Sequence, residues 1–267
     1  MKRLACLLLL APALGSAQQG ASSDIITAVP NRPTVSNPAD PTQRGVLEIE
    51  EGIAAAPKLQ ELQGLLKFGL TRDFELRLGS NSFQHDATIH TIGIGDTTVG
   101  FKYRFLHQNG AVPALAIGYA AKLATASGAL GSGQIDHQLT ALASKDFGLS
   151  HFDVNLNLNW FGRRGHASYT FDVLPTLSWS HPLGERLKKF DVEAEVWGES
   201  SPVASQPASI STLYALAYTV KPRLVLDAGA SFGHMGPVPA ATFLAGFTYS
   251  IADLYHHRAA SRTQHHR

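Results

Sequence analysis

The chain has 267 residues, enough for one large all-β domain or two small ones. Charged residues are 16%, below the roughly 25% of a soluble domain; hydrophobic residues are 44%, ordinary for a protein in which half of each strand is apolar and too few for a helical membrane protein. Lys and Arg number 22 against 21 Asp and Glu, a balance that gives no electrostatic reason to expect nucleic acid as a partner.

The first residues, Met1-Lys2-Arg3, then the apolar run Leu4 to Leu14, then Gly15-Ser16-Ala17, have the form of a positive n-region, an h-region and a small-x-small cleavage site. A signal peptide over 1–17 is therefore expected. The apolar run is too short to span a bilayer, and no later stretch is long and apolar enough to cross as a helix. The single cysteine, Cys6, lies inside the h-region, which excludes a disulfide framework or a cysteine metal site in the mature chain.

Residues 18–45 carry Pro30, Pro33, Pro38 and Pro41 among Ser, Thr, Asn and Asp and show no periodicity. They read as an extended N-terminal extension. A tether in the periplasm is the simpler placement, and a segment tucked into a lumen is the other.

From residue 46 the chain alternates. The clearest stretch is Phe152-Asp153-Val154-Asn155-Leu156-Asn157-Leu158-Asn159-Trp160, with Asp or Asn between every pair of apolar residues. A strand turns successive side chains to opposite faces, so this strand has one apolar and one wet face. Twelve such strands are expected, at 46–55, 62–71, 73–81, 95–106, 112–124, 134–147, 149–162, 168–181, 187–199, 208–220, 223–232 and 240–251. The outward sets are Phe74, Leu76 and Leu78; Val99, Phe101, Tyr103 and Phe105; Phe171, Val173, Leu177 and Trp179; and Leu224, Leu226, Ala228 and Phe232. Tight connections at Thr71-Arg72-Asp73, Phe147-Gly148-Leu149 and Lys221-Pro222-Arg223, with His107 to Gly110 and Pro182 to Glu185 only slightly longer, alternate with longer ones at Ser82 to Ile94, Thr125 to Gly133 and Ser200 to Pro207.

A dozen half-apolar strands behind an export signal predict an all-β fold: a closed antiparallel up-and-down transmembrane β-barrel over 46–251, lipid outside and water inside. The final strand carries Phe243, Phe247 and Tyr249 on one phase, the aromatic ending that barrel-assembly machinery recognises in such proteins.

The same phasing sends Lys67, Glu75, Arg77, Lys102, Arg104, Lys122, Asp153, Asp172, Asp191, Glu193, Glu195 and Asp227 inward. The plainer reading is a solvated, salt-bridged lumen that holds the barrel's shape. The functional one is a selectivity lining for a polar or amphipathic solute.

Other signals are weak. His137, Ser144 and Asp146 fall on one strand, but an odd and two even positions face opposite sides, against a catalytic triad, and no enzymatic activity is expected. Gly93-Ile94-Gly95-Asp96 and Gly128-Ala129-Leu130-Gly131-Ser132-Gly133 lack the Gly-Lys-Ser/Thr of a phosphate loop and read as turns. The basic tail 252–267 holds His256-His257 and His265-His266, read as a disordered periplasmic tail rather than a metal site. No metal or other cofactor is expected.

Several segments in order resemble a known family: Asn31-Arg32-Pro33-Thr34-Val35-Ser36-Asn37-Pro38, Gly45-Val46-Leu47-Glu48-Ile49-Glu50-Glu51-Gly52, Leu70-Thr71-Arg72-Asp73-Phe74-Glu75-Leu76-Arg77, Gly95-Asp96-Thr97-Thr98-Val99-Gly100-Phe101-Lys102-Tyr103-Arg104-Phe105, Lys122-Leu123-Ala124-Thr125-Ala126-Ser127 and Ser144-Lys145-Asp146-Phe147-Gly148. The chain is similar over about 30–250 to the Putative MetA-pathway of phenol degradation family of outer-membrane barrel proteins. That resemblance implies a Gram-negative outer-membrane barrel with a role in uptake of aromatic or other hydrophobic compounds, and it brings no catalytic residue. The expected partners are outer-membrane lipid, a small-molecule solute and, during biogenesis, the barrel-assembly machinery. A structural, adhesive or ligand-binding barrel with a closed lumen is the alternative. A soluble periplasmic β protein is a third reading, weakened by the lack of any helix to cover the apolar faces.

Overall fold

Each alternating stretch pairs antiparallel with the next, and the last pairs with the first. The computed structural model describes residues 25–166, 168–201 and 207–255. The expected signal peptide and the paired histidines of the tail lie outside these residues. The strands are β1 (Val46–Ala55), β2 (Leu59–Gly69), β3 (Phe74–Asp86), β4 (Thr91–Gly93), β5 (Thr97–Leu106), β6 (Ala114–Leu123) and β7 (Asp136–Phe147). They continue with β8 (Ser150–Gly162), β9 (Tyr169–Pro182), β10 (Phe190–Glu199), β11 (Ser209–Lys221), β12 (Leu224–Met235) and β13 (Ala241–Asp253). The short β4 pairs only with the end of β3. The other twelve form a ring closed by β1 against β13. Closure leaves no open edge whose N–H and C=O groups would face lipid unpaired. No helix among the described residues is long and apolar enough to cross a membrane.

Alternation assigns the two faces. Along β8, Asp153, Asn155, Asn157 and Asn159 are buried inside, while Val154 and Leu156 are exposed outside. The expected outward sets on β3, β5, β9 and β12 share that outer face with their neighbours: Leu66, Leu78, Val99 and Ala121 line up across four strands. Aromatic rings gather near both ends of this apolar belt. Tyr119, His137 and Tyr169 cluster toward one end. Phe147 with Phe152, and Phe190 with Tyr218, lie toward the end where β1 begins. Two ring girdles around an apolar band are the pattern of a barrel set in a bilayer.

Two expectations need correction. First, the stretch Ser82 to Ile94 is not all loop. β3 runs to Asp86, paired with Leu59 of β2, and β4 adds to it. This part of the β2–β3 hairpin has polar residues on both faces, such as Gln60 opposite His85. It therefore lacks the alternation that marks a half-apolar strand. Second, connection length alternates less cleanly than expected. The end that carries the termini has seven-residue links at 107–113 and 183–189, and the far end has a three-residue turn at 56–58.

Residues 25–45 do not hang below the barrel. The segment starts at the rim, where the Ala28 N–H donates to Pro222 O at 2.7 Å. It then follows the inner wall and returns to the start of β1. Its amides find side chains rather than a ladder. Val29 donates to Glu48 at 3.1 Å, Asn31 to Glu50 at 2.8 Å, Val35 and Ser36 to Glu195 at 2.8 and 2.6 Å. Asn37 donates to Asn155, Ala39 to Ser144 and Thr42 to Glu75, each at 2.6 Å. A buried N–H without a partner is costly, and proline has none. The four prolines therefore lower the number of amides the wall must satisfy. Bonds to a charged acceptor contribute roughly 1.5–3 kcal/mol each, so this segment is held as part of the lumen and not as a tether.

Candidate functional site

The lumen is the candidate site, and its side chains fall into groups. In the first, Lys67 is fully buried between Glu48 at 2.7 Å and Glu50 at 2.6 Å, and it donates to Val29 O at 2.5 Å. Next to it, buried Glu75 faces Arg77 at 3.5 Å and Lys102 at 3.9 Å. Arg77 also donates to Asn37 Oδ1 at 2.9 Å, and Lys102 to Asp40 O at 3.1 Å. Arg104 joins Asp73 at 2.8 Å and pairs with Asp40 of the segment. These residues thus do two things together: they neutralise one another and grip the segment's backbone.

Lys122 stands apart at the far mouth, bound to Asp96 at 2.8 Å and Asp136 at 2.9 Å. Asp96 lies in the link before β5. Burial alone would raise its carboxyl, but the Lys122 ammonium and the amides of Ala126 and Thr125 outweigh that and hold it below its ordinary 3.8. Through this carboxylate the two glycine-rich stretches meet: Ile94 and Ser127 are bonded to each other, and Asp96 accepts from Thr125 and Ala126 at 2.9 Å. Gly128 and Gly133 hold φ of 55° and 66°, which explains the glycines there.

The second wall is acidic. From β8 to β12 the inward positions hold Asp153, Asp172, Asp191, Glu193, Glu195, Glu199 and Asp227. Asp172 accepts from Asn159 at 3.0 Å and Ser200 at 2.7 Å. Glu195 accepts the Ser36 hydroxyl at 2.6 Å besides two amides. Asp227 faces Arg32 of the segment at 3.5 Å. Asp191 and Glu193 join no ion pair among the described residues, and Glu193 Oε2 is shielded from solvent without a hydrogen-bond partner.

The segment divides the interior. On the side of the termini lies a cavity of about 1120 Å³, lined by Pro30, Pro38 and Pro41 of the segment and by Arg104, His151, Asp153, Asp191 and Glu193. Beyond the segment a pocket of about 230 Å³ meets Asn37, Arg77, Lys102 and Asn157. The far mouth holds a third of about 460 Å³, bounded by Glu61, Asp96, Lys122 and Asp136.

No triad forms from His137, Ser144 and Asp146. His137 lies on the outer face, where it bonds Tyr119 at 2.8 Å. Ser144 is inside, donating to Asp153 and accepting from Ala39. Asp146 is at the rim, bonded to His151 Nδ1 at 2.6 Å, while His151 Nε2 faces Asp153 at 3.1 Å. The histidine is thus held between two carboxylates, and no histidine touches the Ser144 hydroxyl, whose acceptor is Asp153.

Sequence reasoning missed several lumen residues. Glu48 and Glu50 alternate with Leu47 and Ile49, so the parity that found Lys67 would have found them. Arg32, Asn37 and Asp40 carried no such signal, because their place depends on partners far along the chain, 64 residues away for Asp40 and Arg104 and 195 for Arg32 and Asp227. Arg32 has a fitted seat. Gly52 and Gly246 are opposite each other on β1 and β13, and Gly246 is opposite Asp227 on β12. The guanidinium lies over both glycines; a Cβ built at Gly246 would come within 2.6 Å of Arg32 Nε.

A family model described as Putative MetA-pathway of phenol degradation matches residues 30–251. No curated protein matches the sequence. Among solved structures, the barrel is similar to the COG4313 outer membrane channel from Pseudomonas putida F1, with TM-score 0.62 and 11% identity over 79% of this chain and 97% of that one. It is similar to the NanC porin, with TM-score 0.58 and 11% identity over 77% of this chain and 100% of that one. The KdgM porin in complex with disordered oligogalacturonate has TM-score 0.56 and 10% identity over 77% of this chain and 99% of that one.

Proposed function

The chain belongs to the Putative MetA-pathway of phenol degradation family, and from that premise we propose that it is an outer-membrane channel for passive uptake of small molecules, aromatic or other hydrophobic compounds among them. The observation that carries this reading is a closed barrel, apolar and ring-girdled outside, polar inside, with cavities on both sides of an inward segment. The barrel fold it shares with two porins and an outer membrane channel supports the same class. In this reading the end that carries the termini faces the periplasm. The signal peptide delivers the chain there, and the barrel-assembly machinery takes up the aromatic last strand. The charged lumen residues, from Lys67 and Glu75 to Glu195 and Asp227, set the constriction by holding the segment in place.

A closed-lumen, ligand-binding barrel is the second reading, favoured by the number of bonds that tie the segment across the interior. Purified protein in planar bilayers separates the two. A channel gives discrete conductance steps, smaller than those of wide porins, and speeds solute entry into liposomes. Silent bilayers together with unaltered solute entry would leave only the closed barrel.

A further inference from the structure

We propose that the passage is selective for cations, so that among small aromatic solutes it favours those bearing an ammonium group over aromatic acids. The inference rests on the channel reading and names its solute class.

Charge on the inner face is segregated by strand. Every inward Lys or Arg of the wall stands on β1–β7, and each is already bound to carboxylates: Lys67 to Glu48 and Glu50, Lys102 and Arg77 to Glu75, Arg104 to Asp73, Lys122 to Asp96 and Asp136. β8–β12 contribute seven inward carboxylates and no inward Lys or Arg. The basic residues of this half, such as Arg163, Arg186, Lys188 and Arg223, fall in its connections, and Lys221 ends β11 over the outward ring of Tyr249 at 5.5 Å. Among the described residues, one cation from outside these strands reaches into the acidic wall, Arg32, with its side chain only 10% exposed and its Nε without a partner. It is committed to Asp227. The large cavity lies against this wall, and Glu193 presents there a shielded carboxylate oxygen that nothing in the chain satisfies. Of the other basic side chains that line the cavity, Arg104 is held by Asp40 and Asp73 and His151 by Asp146 and Asp153, while Arg44 and Arg72 are at its rim on the side of β2 and β3, Arg44 stacked on Tyr255 at 5.4 Å.

A cleft lined by one sign of charge, with low-dielectric walls, focuses its field and concentrates counter-ions. Rings of Asp and Glu select cations in the same way in membrane pores. Here the excess of carboxylate is fixed on one wall along the length of the lumen. An anion crossing the segment would meet that wall with no free cation opposite it among the described residues.

The test is the reversal potential of the full mature protein in a planar bilayer under a KCl gradient. The expected result is K⁺ permeability at least about tenfold above that of Cl⁻. The double substitution Asp191→Asn with Glu193→Gln, at two carboxylates that hold nothing else in place, should bring the ratio toward unity while conductance persists. In liposomes, benzylammonium should enter faster than benzoate, two probes of matched size. Conductance with a ratio near one or favouring Cl⁻ overturns the selectivity and leaves the channel standing. Absence of both conductance and solute entry overturns the channel itself, and this inference with it.

Discussion

At the scale of single residues, the interior is built around substitutions that would look harmless from outside. Gly246 is one. Its hydrogen allows Arg32 to lie flat over β1 and β13 and reach Asp227. A Cβ at this position would also come within 2.6 Å of the Glu51 carbonyl oxygen and 2.8 Å of the Gly52 Cα, backbone atoms of β1 that must shift to admit it. Gly246→Val should therefore lower the barrel's stability at the β1–β13 seam. The same side chain would occupy the seat of the guanidinium, and Arg32 could not pair with Asp227. The expected outcome is faster hydrogen exchange at the amides of Asn31, Val35, Ser36 and Asn37, with strand amides away from the β1–β13 seam unchanged. Equal protection of the segment in the variant and the parent would show that Arg32 does not pin it.

At the scale of elements, the question is whether residues 29–42 form a fixed constriction or a mobile plug. The bonds favour a fixed one: the wall satisfies the segment at intervals from β1 around to β3, with charged anchors at both ends and neutral Asn155 and Ser144 between. Ser36 Oγ lies 2.7 Å from Thr176 Oγ1, and the chain has no cysteine beyond Cys6. A Ser36→Cys, Thr176→Cys disulfide should thus leave single-channel conductance unchanged, while deletion of 29–42 should raise it several-fold. A lock that silences the channel until reduced would make the segment a moving gate instead. The strands were legible because a half-apolar strand writes its two environments into alternate residues, as β8 does with Asn155, Leu156, Asn157 and Leu158. The segment was not, since both its faces meet polar groups and its amides pair with side chains rather than a ladder. Its prolines marked an extended chain, but the carboxylates that hold it, Glu48, Glu50, Glu75 and Glu195, are spread over three strands. The inward positions of Asp191 and Glu193 followed from parity, whereas their lack of cations depends on how far β8–β12 lie from Lys67 and Lys102 around the ring, which no single strand records.

At the scale of the whole molecule, the outer surface must match the membrane in depth as well as in polarity. Leu156 sits in the middle of β8 and points outward with 42% of its surface exposed, between the girdle that includes Phe147 and Phe152 and the one that includes Tyr169 and His137. Leu149 lies in the tight link between β7 and β8, 70% exposed at the rim. In water the two leucines would be equivalent: each exposes an apolar side chain, and replacing either with arginine would cost little. In a bilayer they differ. An arginine at the midplane costs roughly 2–4 kcal/mol, and near the interface only about 0–1. Leu156→Arg should therefore lower the unfolding free energy measured by denaturant titration in lipid vesicles by that larger amount, with Leu149→Arg nearly neutral. The contrast should shrink in detergent micelles, which deform around the charge. Similar small effects at both positions in vesicles would mean that the apolar belt does not face lipid, and the assignment of this barrel to a membrane would fall with it.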